Sequence, residues 1–196
     1  MMGGLLPIPG FNGNGLMPPF IGGDATSANR SPYFTHMTEV VETFGTTAER
    51  RSLLRNLISY RTLLAEEGYV SGVQFIDGSF VENIELAANR PPSDIDVFSI
   101  LNLPSKYVGA APELLQQGEA FWRDRVANRE HNKEHLKLDT YALLVEGTPL
   151  GDMLQAVMYW YSLFSHQRDT FAWKGFLAIV VDPASDQAAA AMLGEA

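Results

Sequence analysis

The stretch Asp94-Ile95-Asp96-Val97-Phe98-Ser99-Ile100 constrains this chain more than any other. Acidic and apolar residues alternate at its start with the period of a β-strand. Both carboxylates therefore emerge on one face, about 7 Å apart, while Ile95 and Val97 enter a core. Two like charges on one face repel unless a cation neutralises them, and hard oxygen donors favour magnesium or manganese over zinc. Strand formers recur in Val73-Gln74-Phe75-Ile76-Asp77, which runs directly into Gly78-Ser79, and in Leu138 to Val145, where Asp139 repeats the acidic pattern singly. Placed on neighbouring strands, Asp94, Asp96 and Asp139 would form a three-carboxylate cluster, the type that holds two ions about 3.5 to 4 Å apart in phosphoryl chemistry. They are the candidate catalytic and metal-ligating residues. At Gly78 the missing side chain lets the backbone approach a phosphate, and the following amides, with the Ser79 hydroxyl, can donate hydrogen bonds to it.

The rest of the chain supplies helices for such a sheet. Residues 47–66 carry Leu53, Leu57, Tyr60 and Leu64 at helical spacing, with Thr46 and Glu49 as a capping-box pattern and Gly68 as the stop. Further helices are expected over Pro112 to Val126 and around Met153 to Tyr161, and a last strand over Trp173 to Val181. The fold class is thus α/β (α+β): a short mixed sheet backed by helices. Residues 1–35 are rich in Gly and Pro and read as an irregular arm, 36–184 as the domain, and 185–196 as a tail, helical or frayed. Gly10, Gly13 and Gly15 have no strand before them and no helix after them, so they are turn glycines rather than a phosphate loop.

Composition narrows the partners. A formal charge of -9 excludes a broad nucleic-acid-binding surface, which needs Lys and Arg to neutralise phosphates. Cysteine is absent, which rules out disulfides and thiolate metal sites. The N-terminus lacks the pattern of a secretory signal, and no apolar stretch reaches the roughly 20 residues of a membrane span, so a soluble, cytoplasmic protein without a membrane partner is expected.

Three other signals compete for a role. His131-Asn132-Lys133-Glu134-His135 matches the H-x-x-E-H pattern of one zinc protease class, but it lacks an apolar stripe and a clear third ligand. The surrounding segment, with Arg123, Arg125, Arg129, Lys133 and Lys137, is locally basic, and reads as a solvated helix or a phosphate or acceptor contact. Lys174, just before the last strand, is a candidate nucleotide-binding point charge beside Gly78 and Ser79, or a residue that keeps a strand edge soluble. Tyr159-Trp160-Tyr161 and Phe164 have the spacing of core packing more than of a base-stacking platform.

Phe75-Ile76-Asp77-Gly78-Ser79-Phe80 followed by Pro92-Ser93-Asp94-Ile95-Asp96-Val97 resembles the signature of the polymerase-beta-like nucleotidyltransferase superfamily. More narrowly, the chain resembles a family of small, mostly uncharacterised bacterial proteins with that catalytic core. This second resemblance rests on Phe11 to Pro19, on Phe44-Gly45 with Arg50, Arg51 and Leu53, and on Trp173-Lys174-Gly175-Phe176. The resemblance implies a nucleotidyltransferase core, Mg2+ (or Mn2+) at Asp94, Asp96 and Asp139, and a nucleoside triphosphate at Gly78 and Ser79. It further implies transfer of a nucleoside monophosphate to an acceptor hydroxyl, on protein or RNA, with pyrophosphate leaving. The alternative is a non-catalytic nucleotide- or protein-binding module of the same fold, with a link to bacterial defence or toxin control by family analogy alone. Two departures stand out. Phe80 to Ser93 is longer than the usual interval and contains Glu82, Glu85 and Arg90, and the Arg-Gly that follows Gly-Ser in minimal nucleotidyltransferases paired with toxins is missing.

Overall fold

A computed structural model describes residues 7–24 and 26–194. The beginning of the expected arm (1–6), Ala25 and the last two residues of the tail lie outside the described residues. Five strands, β1 (Tyr33–Thr35), β2 (Gly72–Asp77), β3 (Ile95–Leu101), β4 (Leu138–Leu144) and β5 (Leu177–Val180), form one mixed sheet in the order β1-β5-β2-β3-β4. β2 runs antiparallel to β3 and β5, whereas β3–β4 and β1–β5 are parallel. A mixed α+β sheet is therefore present, with β2 and β3 at its centre.

One face of this sheet carries Ile76, Ile95, Val97, Leu101, Leu138, Leu177 and Ile179. All are buried against the helices α1 (Met37–Phe44), α2 (Ala48–Glu67) and α7 (Pro183–Gly194). α2 begins at Thr47, whose side chain accepts from the Arg50 amide, so the cap is one residue later than the capping-box pattern at Thr46 suggests. It ends at Gly68, which adopts the left-handed conformation (φ 105°) that glycine takes without a Cβ penalty. The buried Arg61 of α2 ties the helical layer to the sheet. Its guanidinium donates to Asp186 of α7 at 2.8 Å, to Gln74 of β2 at 2.7 Å and to the Val180 carbonyl of β5 at 2.8 Å.

Several boundaries differ from the sequence reading. Of the two readings of the tail, helical or frayed, residues 185–194 take the helical one, with Ala189 and Leu193 buried and Arg51 and Arg55 donating to the helix's final carbonyls. Its alanine spacing hides a packing face that only the neighbouring α1 and α2 define. The last strand starts at Leu177 rather than Trp173, because Lys174 and Gly175 bond to Ser165 and Met17 instead of to a strand ladder. The irregular arm yields to a strand at Tyr33, and Leu16 and Met17 are already buried, so the arm is packed onto the body. Asn12 to Gly15 closes a turn in which the Asn12 side chain accepts from the amides of Asn14 and Leu16, as turn chemistry requires. The expected helix over Pro112 to Val126 is an α-helix, α4 (Pro112–Phe121), that widens into a π-turn at Trp122–Val126.

The opposite face of the sheet is covered less completely, by α6 (Leu150–Phe164). Trp160 stacks there on Phe98, and Phe164 and Phe176 complete a small aromatic cluster, so the packing role expected for the aromatic run falls to Trp160 and Phe164. Tyr159 and Tyr161 stay exposed.

Candidate functional site

Strand register assembles the site. β2 sets Asp77 opposite Asp96, and β4 sets Asp139 opposite Asp96. Directly opposed residues share a face, so Asp77, Asp96 and Asp139 form a row across three strands, and Asp94 stands two residues before Asp96. The next row on that face is aromatic, Phe75, Phe98 and Tyr141, with the Trp160 ring 4.3 Å from Tyr141. The acidic row thus lies where β2 ends and β3 and β4 begin, beside the turn Gly78–Val81.

Gly78 is dictated by its surroundings. Its φ of 81° lies in the left-handed region, and a Cβ there would collide with Asp96 Oδ2. Ser79 follows, half-buried, and no hydrogen bond holds its hydroxyl among the described residues. Beneath the turn is a buried ionic cluster. Lys174 Nζ lies 2.9 Å from Asp77 Oδ1 and 2.8 Å from Glu82 Oε1, and 3.4 Å from the Gly78 carbonyl. The Asp77 contact is an ion pair without hydrogen-bond geometry. Burial pushes the Asp77 carboxyl up, to about 7, against the pull of Lys174. Burial also pulls Lys174 down, but Asp77 and Glu82 together outweigh it and leave the ammonium more basic than usual. Lys174 is thus a counter-ion inside the protein, not a charge at a strand edge, and its ammonium is engaged from below the turn that was expected to bind phosphate. Arg50, also buried, braces the other side, donating to the carbonyls of Phe80 and Glu82 and in a fork to Glu85. The first part of the long interval after Ser79, up to the short helix α3 (Ile84–Ala88) that carries Glu85, is therefore held in place, with its Asn83 amide bonded to the Gly15 carbonyl of the arm.

Asp96 and Asp139 face opposite electrostatics although they are neighbours. The Asp96 carboxylate makes no ion pair or hydrogen bond among the described residues. Burial raises its pKa, and the charges of Asp94 and Asp139 raise it further, with Arg168 and Lys133 opposing them. Asp139 is held by a bidentate Arg129 fork and by Lys133 Nζ at 2.9 Å, contacts that lower its pKa against the effect of burial. Lys133 Nζ also lies 3.2 Å from Asp94 Oδ2. Both cations come from α5 (Arg129–Leu136), whose Asn128 cap accepts from the His131 amide. The buried Asn132 side chain, between them in sequence, bonds Thr140 of β4 at 2.9 Å and the Arg125 carbonyl at 3.0 Å.

Among the described residues no group of three carboxylate, His or Cys side chains stands ready to hold a metal. His131 and His135 of the H-x-x-E-H segment merely stack on each other, with ring centroids 4.3 Å apart. The donor chemistry of Asp94, Asp96 and Asp139 nevertheless fits a hard divalent cation: oxygen ligands only, one of them an uncompensated carboxylate destabilised by its own neighbours. Two of the three are engaged by cations instead, Asp94 by Lys133 and Asp139 by both Lys133 and Arg129. Sequence reading left Arg129 and Lys133 in a basic segment, as part of a solvated helix or as a phosphate or acceptor contact and not as partners of Asp94 and Asp139, and it read Asp77 only as the end of a strand. The four-residue spacing of Arg129 and Lys133 puts them on one helix face, the only local signal available.

Residues 9–180 match a family of unknown function, DUF6932. The chain belongs to that family. No curated protein and no solved structure matches it. Among the described residues, no helix is long and apolar enough to cross a membrane.

Proposed function

We propose that this DUF6932 protein is a magnesium- or manganese-dependent nucleotidyltransferase of the polymerase-beta-like type. The observation that carries the reading is the register Asp96 opposite Asp139, with Asp94 at the same strand start and the Gly78-Ser79 turn alongside. Asp94, Asp96 and Asp139 would hold the ions, which when bound neutralise phosphate charge and acidify the acceptor hydroxyl. The amide and free hydroxyl of Ser79 would hold the phosphate oxygens, in a turn that Lys174 and Arg50 brace from the protein side. Tyr141, at the sheet end beside the acids, would border the acceptor side. The acceptor hydroxyl would lose its proton to solvent as its oxygen bonds to the α-phosphorus, the bond from that phosphorus to the bridging oxygen would break, and the bridging oxygen would leave with the β- and γ-phosphates as pyrophosphate. The acceptor is a hydroxyl on protein or RNA.

The second reading, a binding module of the same fold, is favoured by one observation: Asp139 and Asp94 are already neutralised by Arg129 and Lys133. Asp139→Asn separates the two. Calorimetric affinity for magnesium–nucleotide and transfer of labelled nucleotide to lysate proteins and RNA are measured for wild type and variant. An enzyme whose Asp139 positions the ion at the acceptor keeps much of its nucleotide affinity in the variant but loses transfer by about two orders of magnitude or more. Nucleotide binding without transfer by the wild type, across a broad acceptor screen, supports the binding module instead.

A further inference from the structure

We propose that Arg129 and Lys133 are exchangeable counter-ions: in the metal-free protein they hold Asp139 and Asp94, and a divalent cation displaces them onto the phosphates of the bound nucleotide. The inference rests on the reading of the site given above.

Four features support it. Lys133 Nζ is shared between one oxygen of Asp94 and one of Asp139, so its departure frees a ligand on each at once. The Arg129 and Lys133 side chains are half exposed, 51% and 48%, whereas Asp139 is 7% exposed, so the cations can swing outward from a carboxylate that stays put. Arg129 also lies over the Tyr141 ring at 5.0 Å, a platform that can retain the guanidinium after its fork lets go. The helix that carries both need not move, since Asn128 caps it and Asn132 pins it to β4.

Charge counting points the same way. With all groups ionised the three acids carry three negative charges, Arg129 and Lys133 reduce this to one, and Arg168 weakens the negative potential at Asp96 further, so an arriving dication competes directly with the two resident cations for the same oxygens. Released, Arg129 and Lys133 restore the full negative charge. They become two free donors beside the Gly78-Ser79 turn, where a bidentate guanidinium and an ammonium are the usual partners of phosphate oxygens.

The test is Mn2+ binding to the full chain at low ionic strength without nucleotide, followed by electron paramagnetic resonance of free Mn2+. Arg129→Gln/Lys133→Gln should bind Mn2+ at least about tenfold more tightly than wild type, because two competing charges in direct contact are gone. The same variant should bind a non-hydrolysable nucleoside triphosphate with Mn2+ at least about tenfold more weakly. Adding Asp96→Asn should abolish the gain in Mn2+ affinity. Wild-type binding of Mn2+ with equal or weaker binding by the variant overturns the exchange while leaving the site reading intact, whereas an Mn2+ gain that survives Asp96→Asn puts the ion elsewhere and overturns both. An unchanged nucleotide affinity overturns the hand-over to phosphate. If neither protein binds Mn2+, both the exchange and the site reading fall. Should the double variant not fold, Lys133→Gln alone is expected to shift both affinities in the same directions.

Discussion

Replacing Lys174 by Met should expose how the site's foundation is held. The Lys174 side chain is 2% exposed, and the two carboxylates it meets, Asp77 and Glu82, are 7% and 8% exposed. Methionine fills most of the volume but removes the ammonium, leaving two buried acids near each other. Glu82 keeps one bond, from Gln167 at 2.9 Å, and Asp77 keeps only its neighbouring backbone. Breaking a buried ion pair by deleting one partner costs about 3–5 kcal/mol, which for a domain of this size lowers Tm by roughly 6–20 °C. The pH dependence has a definite sign. Asp77 already has a folded pKa near 7, raised by burial above the value of an unfolded aspartate, and losing Lys174 lifts it further. An acid with a raised folded pKa takes up its proton as pH falls through that value, which relieves the charge. The deficit of the variant against wild type is therefore complete at alkaline pH and shrinks on acidification between the variant's Asp77 pKa and about 7. The relief is about 1.4 kcal/mol for each unit by which the substitution raises Asp77. Urea unfolding of both proteins at pH 9 and pH 6, followed by circular dichroism, measures it. A deficit below about 1 kcal/mol at pH 9, or one equal at both pH values, would refute the counter-ion argument. Wild-type stability with lost nucleotide affinity would return Lys174 to the role of a phosphate contact.

Other substitutions probe the surrounding parts. Asp96→Asn removes a carboxylate that burial and its two acidic neighbours already disfavour, so it should keep or slightly raise Tm while abolishing metal-dependent nucleotide binding; unfolding seen by circular dichroism would mark a structural carboxylate instead. Gly78→Ala forces a left-handed residue, at about 1–2 kcal/mol, and pushes its Cβ into Asp96, so the urea midpoint and nucleotide affinity should fall together. Arg61→Met strands the buried Asp186 and should cost about 3–5 kcal/mol, with α7 becoming the first site of limited proteolysis; an undigested α7 would show that its apolar packing suffices.

The sequence alone determined the elements whose signals are local. Alternation identified the start of β3, runs of strand formers identified β2 and β4, Gly68 stopped α2, and the Gly78-Ser79 turn was placed at a strand end. These signals are legible because a strand's two faces and a helix's stop are set by residues adjacent in the chain. Pairing across strands carries no such mark. That Asp139 falls opposite Asp96, rather than a residue earlier or later, depends on the parallel register of β3 and β4, and a one-residue slip would have sent its carboxylate to the other face. The same holds for Lys174, whose apparent place at a strand edge became a buried ion pair with residues more than ninety positions away. It holds equally for Arg129 and Lys133, polar on a polar helix until α5 packs beside β4 and sets them against the carboxylates. Charge in a sequence has a sign but no partner; only the fold, by excluding water and fixing distance, decides which opposite charge it meets.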